Sequence, residues 1–372
     1  MTDRLEPASE NRLIALADAL VDQRAAGIAV PPMRAESGYW FGGGNVIRHT
    51  ADEWVLVGRY RNRGDSRTGI GVGERGLELA FFRSADGGRH FSKWFGLSKQ
   101  ALSGGGRSVL SIEGAALRRH GAGVELFVST EKSGIGYPLG LESFQKPGTG
   151  VWTIDRLVAD SIEGLRDGVP ETVLASTDPR CVHVKDPVPY ETAGGDLALF
   201  FCSHPFCWTS SNSGYAIRPA GSATFGEAEY ECLPRGATWD VAISRITSLV
   251  DVPEMGPFRD RRVTLVFYDG GECVRPLEEH ATAVKRPRGY SCEELGGVGY
   301  CVDGRFDQIH RLSLLRPQFV SPYGSGCSRY VDILAEDDGW LVTWQQGQPD
   351  GSQPLVAHRL DRAVISRILG GE

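Results

Sequence analysis

The chain has 372 residues, 41% hydrophobic and 23% charged, the composition of a soluble globular protein with enough apolar mass for a large core. A formal charge of -7 without a dominant basic stretch argues against nucleic acid as a partner. No apolar run reaches the length of about 18 residues that a membrane helix needs, and Met1-Thr-Asp-Arg-Leu-Glu-Pro carries no apolar signal core, so a cytoplasmic location is expected.

In chain order, the first element expected is an amphipathic helix over 9–25. Ser9 would be its N-cap, and Leu13, Leu16, Ala17, Leu20 and Val21 fall on one stripe. Pro31-Pro32 closes this segment, which reads as a helical leader over 1–37 packed on the outside of a body over 38–372. From there the texture changes to short strands and glycine turns, in keeping with 48 Gly and 20 Pro. Strands are expected over 45–49, 53–60, 77–84, 109–118, 124–130, 151–157, 197–203, 239–246, 263–268, 330–335 and 340–345. Several pair into one grammar: an apolar strand, a polar Gly or Asp turn, then a second apolar strand. Five such units can be aligned, and their imperfect repetition predicts an all-β, five-bladed β-propeller, with a two-sheet sandwich as the alternative.

Eight cysteines, at 181, 202, 207, 232, 273, 292, 301 and 327, form no paired Cys-x-x-Cys units. That spacing supports neither a structural zinc site nor a disulfide framework; buried reduced thiols are expected, with no metal and no cofactor. The most informative segment is Cys181-Val-His-Val-Lys-Asp-Pro-Val-Pro-Tyr190, followed by Asp196-Leu-Ala-Leu-Phe-Phe201. Pro187 cannot donate to a ladder, so Asp186 should stand at a strand start or a sheet edge, at the mouth of a sheet rather than inside it.

With these residues the chain resembles the five-bladed propeller glycosidases, the arabinanase, xylosidase, invertase and levansucrase superfamily with the related mannoside phosphorylases. Val184-Lys-Asp-Pro-Val-Pro-Tyr190 is similar to that superfamily's Asp-Pro strand in the third blade. Arg59-Tyr-Arg61, followed by Leu79-Ala-Phe-Phe-Arg-Ser-Ala-Asp-Gly-Gly-Arg-His-Phe91, is similar to the first-blade pattern of the phosphorylase branch. The resemblance implies a central funnel in which the starts of the inner strands carry working carboxylates. The chain departs from it in blade one, where Gly42-Gly-Gly-Asn45 stands in place of an Asp, and in blade four, where Thr238-Trp-Asp-Val-Ala-Ile-Ser244 offers Asp240 instead of a Glu.

Glycoside cleavage passes through an oxocarbenium-like state and uses two carboxyl groups, one protonated and one ionised. Asp186, Glu113 and Asp240 are the carboxyl groups expected in the funnel, with Asp186 orienting the substrate or tuning its neighbour and Glu113 or Asp240 as general acid. Arg59 and Arg61 alternate with Tyr60 and so share one side of a strand, where they can clamp a carboxylate or phosphate. Trp40 and Trp239 are candidates for stacking on sugar rings, and Asn45, His204, Arg329 and Tyr330 for hydrogen bonding to substrate. The expected partner is a small-molecule carbohydrate, cleaved by hydrolysis or phosphorolysis. Two rivals stand beside this. Ser84-Ala-Asp-Gly-Gly-Arg-His-Phe91 fits one Asp-box turn, so a sialidase-like propeller would use Tyr330 as nucleophile and Arg59, Arg61 and Arg329 as grips. The missing blade-one Asp favours a non-catalytic carbohydrate-binding propeller.

Overall fold

The structure is a computed structural model that describes residues 4–63, 76–207, 210–271 and 294–370. Strand pairing resolves into five antiparallel sheets. Blade one contains β2 (Trp40–Gly42), β3 (Val46–Arg48), β4 (Trp54–Arg61), β5 (Glu78–Ser84) and β6 (Ser92–Ser98). Blade two runs β7 (Val109–His120), β8 (Gly123–Lys132), β9 (Val151–Ala159) and β10 (Glu171–Leu174). Blade three runs β11 (His183–Glu191), β12 (Leu197–His204), β13 (Asn212–Arg218) and β14 (Glu229–Leu233). Blade four runs β15 (Ile243–Asp251), β16 (Val263–Gly271), β17 (Leu295–Val302) and β18 (His310–Arg311). Blade five starts with β19 (Ser328–Glu336), β20 (Gly339–Gln346) and β21 (Leu355–Asp361), and its fourth strand is β1 (Gly27–Val30), from the other end of the chain.

The expected five-bladed propeller is therefore the observed fold, and the packing shows why a ring is the stable solution. A sheet buried on both faces needs near-continuous apolar strands, and β8, β12, β16 and β20 in the middle of their blades are buried along almost their whole length. Each pair of adjacent blades then shares one apolar core. Val57, Phe81, Leu117 and Leu126 join blades one and two. Phe127, Ile154, Leu199 and Phe201 join two and three, and Phe200, Tyr190, Val266 and Tyr268 join three and four. Phe267, Val298, Val342 and Trp344 join four and five, and Leu341, Leu355, Phe41 and Phe82 close five onto one.

Helix α1 (Pro7–Leu20) buries the expected stripe of Leu13, Leu16, Ala17 and Leu20 against the core of blades four and five, beside α2 (Arg362–Gly370). It starts earlier than expected, because Pro7 occupies its first turn; Glu6 precedes it without a side-chain cap, and Ser9 lies inside. β1 falls within the segment expected to be a separate leader, and it pairs antiparallel with β21. The strand expected over 239–246 begins only at Ile243. Between β5 and β6, the Asp86 carboxylate accepts the N–H groups of Arg89 and His90 at 3.0 Å while Phe91 enters the core, so the Asp-box segment is a structural turn. Cys181, Cys202, Cys232 and Cys301 are buried free thiols; Cys273 and Cys292 lie outside the described residues. Among the described residues, no helix is long and apolar enough to cross a membrane.

Candidate active site

The first strand of each blade lines the propeller axis, and each loses its register at the same level. In β7 the ladder slips between Ile112 and Ala115, and in β11 between Lys185 and Val188. The slips in β15 and β19 lie between Ile246 and Ser248 and between Arg329 and Asp332. Blade one does the same with a break, as Gly43, Gly44 and Asn45 separate β2 from β3. A bulge leaves a residue unpaired and re-aims its side chain. The bulged residues converge on an axial cavity of about 30 Å³ lined by Gly43, Gly44, Gly114, Asp186, Arg245 and Tyr330, among others.

Two of these residues adopt the left-handed backbone conformation that non-glycine residues seldom visit: Asp186 at φ 57° and Tyr330 at φ 55°. Such strain persists only where the surroundings impose it. At Asp186 the Ser129 hydroxyl accepts the backbone N–H at 2.7 Å, and the Gly114 N–H donates to Oδ1 at 3.1 Å. Only glycine allows that second contact, because a Cβ at position 114 would lie 2.4 Å from Oδ1. The other oxygen, Oδ2, stands 3.5 Å from Arg245 Nη1. Asp186 thus lines the axial cavity from an edge strand, as its Asp-Pro context suggests, but from within β11 rather than at its start.

One residue away, Lys185 Nζ pairs with Glu113 Oε2 at 2.7 Å. The same slip thus sets residues 113 and 114 of blade two against residues 185 and 186 of blade three. Burial works against the Lys185 ammonium, but the carboxylates of Glu113 and Asp186 outweigh it and raise its pKa. Glu113 keeps 16% of its side-chain surface accessible, against 5% for Asp186.

Arg245 organises the other side. Its Nη2 lies 2.7 Å from Asp269 Oδ2 and 2.6 Å from Glu294 Oε2, and Glu294 also receives Arg329 Nη1 at 2.6 Å. Burial pushes the Asp269 carboxyl up to about 6 in spite of Arg245. Burial acts the same way on Glu294, but there the two guanidiniums win and hold the carboxyl well below its usual range. Asp269 also accepts the Tyr330 backbone N–H at 3.1 Å, which fixes the strained turn at Tyr330. Deeper along β19, burial lifts the half-buried Asp332 carboxyl to about 7, although Oδ2 accepts the Val46 N–H at 2.9 Å.

The structure brings together Asp186, Glu113, Arg59, Arg329 and Tyr330. It places others elsewhere. Asp240 precedes β15, is 1% exposed, and pairs with Arg311 at 2.9 Å, beside Gly236 and Gly270. Trp239 stacks on Tyr268 at 5.7 Å within the core of blades three and four. Both fall outside the axial lining because the inner strand starts three residues after Asp240. His204 ends the second strand of blade three, contacting the Ser210 carbonyl at 2.9 Å and Cys202 Sγ at 3.1 Å, and burial pushes its pKa well below the ordinary value. Asn45 ties blade one to blade two by exchanging two 2.8 Å hydrogen bonds with the Leu117 backbone. Trp40 is 5% exposed, with Arg59 and Arg329 packed over its ring at 4.6 and 4.7 Å, so its faces are taken up by guanidinium groups. Arg61 is buried beside the same ring at 5.7 Å.

Lys185, Arg245, Asp269 and Glu294 were not expected from sequence. Asp269 carries a faint signal, a lone acid closing the apolar run Val263-Thr-Leu-Val-Phe-Tyr268. The other three become visible only when residues distant in sequence meet, Lys185 with Glu113 of blade two and Arg245 with Glu294 across blade four.

No protein-family model matches the chain, and no curated protein sequence does. Solved structures do. A family-43 endo-arabinanase from Bacillus licheniformis superposes with a TM-score of 0.52 at 11% identity, over 90% of this chain and 97% of that one. A beta-xylosidase superposes at 0.55 with 10% identity, over 90% and 95% of the two chains. An alpha-L-arabinofuranosidase from Lactobacillus brevis superposes at 0.56 with 8% identity, over 89% and 92%. At these identities the likeness is one of fold.

Proposed function

We propose that the axial funnel is the active site of a glycoside hydrolase that cleaves a glycosidic bond in an oligosaccharide or glycoside. The observation that carries this is Asp186: a strained, buried carboxylate at the axis, held by Ser129 and Gly114, with a second, more accessible carboxylate, Glu113, paired to the neighbouring Lys185. The fold shared with arabinanase, xylosidase and arabinofuranosidase structures supports the same reading by analogy.

In this proposal Glu113 exchanges the proton with the leaving group or the attacking water, since its side chain is the more accessible of the two. Asp186 stabilises the positive charge that develops on the sugar ring. Lys185 lies in the field of both carboxylates and balances the pair as a proton moves. Asp269 is a positioning residue, holding Arg245 and the Tyr330 turn.

The glycines of blade one and Arg245 in blade four favour a second reading, a propeller that binds carbohydrate without turning it over. The sialidase-like reading has less support, because burial raises the Tyr330 phenol and its hydroxyl accepts a hydrogen bond from Arg59. A turnover screen separates them. Purified protein would be offered aryl furanosides, aryl pyranosides, a sialoside and short oligosaccharides, with and without phosphate, beside Asp186→Asn. Cleavage lost in the variant is the expected result, and a phosphate requirement would identify phosphorolysis. Binding without cleavage of any sugar would establish the second reading.

A further inference from the structure

Among the described residues, three cations at the axis are matched by carboxylates. Lys185 has Glu113, Arg329 has Glu294, and Arg245 has Asp269, Glu294 and Asp186. Arg59, on β4 behind the glycine break of blade one, is 4% exposed and makes no ion pair among the described residues. Its Nη2 donates to the Tyr330 hydroxyl at 3.3 Å, and its buried Nε has no hydrogen-bond partner among the described residues. The Trp40 ring offsets part of the charge, but a ring face accepts no hydrogen bond in the plane of a guanidinium. A buried charge left this way costs several kcal/mol by general experience and is held where something else completes it.

The glycines leave room for that something. Gly43, at φ 72°, faces the Arg59 Nε: a Cβ there would stand 3.6 Å from Nε and 3.7 Å from Tyr330 Cζ, the flank that glycine leaves bare. Gly44 packs so closely on the Val57 carbonyl that a Cβ would overlap it at 1.7 Å, which locks the break in place. Gly43 and Gly44 line the axial cavity, whose volume of about 30 Å³ suits a single polar substituent rather than a sugar ring. Where the resemblance leads one to expect a negative charge in blade one, this chain has open backbone with a positive charge behind it.

We propose that Arg59, with the Tyr330 hydroxyl and the Gly43–Gly44 break, binds a carboxylate carried by the sugar, so that the ligand of this funnel is a sugar acid such as a uronic acid. This deepens the glycoside-hydrolase reading and rests on the same funnel, although binding of the acid does not require turnover. The planar guanidinium and the phenol hydroxyl present donors to an oxyanion, and the aromatic ring behind keeps the fork in place.

Calorimetric titration of the full chain tests it, using glucuronate and galacturonate, their uncharged methyl esters, xylose, arabinose and inorganic phosphate. A sugar acid should bind on the order of 30-fold more tightly than its ester, and Arg59→Met should erase that preference while Arg59→Lys retains part of it. Equal binding of acid and ester by the wild-type protein would overturn the proposal without depending on any variant folding. So would a preference that survives in a folded Arg59→Met, or inorganic phosphate binding through Arg59 while sugar acids do not. Cleavage of neutral glycosides without acid preference would remove the inference and leave the hydrolase reading standing. Acid binding through Arg59 without cleavage of any glycoside would do the reverse.

Discussion

Asp186 joins two properties that seldom coincide, a left-handed backbone and a carboxylate with both oxygens engaged. Asn tolerates that backbone conformation and can accept the same Gly114 hydrogen bond. Asp186→Asn should therefore leave the melting temperature within a few degrees of wild type while turnover falls by a factor of about 100 or more. Wild-type activity in this variant would remove Asp186 from the mechanism. Gly114→Ala reaches the same carboxylate from outside, since its Cβ would lie 2.4 Å from Oδ1. It should lower turnover through displacement of Asp186, at a stability cost of about 1–3 kcal/mol; unchanged turnover would show that the Gly114 contact is dispensable. At this scale the sequence was readable where chemistry is local. Asp-Pro between two β-rich runs pointed to Asp186, and the alternation of Arg59 with Arg61 pointed to a shared face. Arg245 and Glu294 were opaque, because 49 residues separate them and neither has a neighbour that marks it.

The element that makes the site is the bulge, repeated on four inner strands and replaced by the glycine break on the fifth. Strand existence follows from apolar runs, so most of the expected middle strands match the observed ones to within a few residues. A bulge belongs to a pair of strands and leaves little trace in either alone; Pro187 is its one clear local marker. The late start of β15 shows the consequence: Trp239-Asp-Val-Ala reads as strand, yet Gly236 and Asp240 hold a turn there, and Asp240 faces Arg311 instead of the axis. Below the bulges β19 carries Asp332, whose folded pKa of about 7 lies above the ordinary carboxyl value of 3.8. For a raised carboxyl, the protonated form is the one the fold favours. Its stabilising contribution is complete below the unfolded value and is lost as pH rises through about 7. Asp332→Asn, which keeps an acceptor for the Val46 N–H, should then stabilise the protein more at pH 8 than at pH 5, by roughly 2 kcal/mol or more. Denaturant melts of both proteins at the two pH values check it, and a pH-independent difference would mean that Asp332 ionises freely in the fold.

At the scale of the whole molecule, closure decides stability. The five repeating units legible between residues 38 and 360 account for the blades, but the strand that fastens the ring lies outside them. Gly27-Ile-Ala-Val30 is four residues long, too short to stand out, and its partner β21 is at the far end of the sequence. A leader thought to sit on the outside is thereby part of the propeller. α1 adds to the closure: Leu13, Leu16 and Leu20 are each 0% exposed in the core shared by blades four and five. Removing one such leucine costs about 2–5 kcal/mol, and domain stabilities are about 5–15 kcal/mol in total. Leu16→Ala should thus fold but melt earlier. Deleting residues 1–30 should exceed what the ring can lose, while also baring β21 as an unpaired edge that invites association. The deletion protein is expected to lose cooperative melting and to elute as aggregate in size-exclusion chromatography at concentrations where Leu16→Ala runs as wild type. A deletion protein that keeps the wild-type melting temperature and elution volume would show that blade five is complete without β1, and that the ring is closed by the inter-blade cores alone.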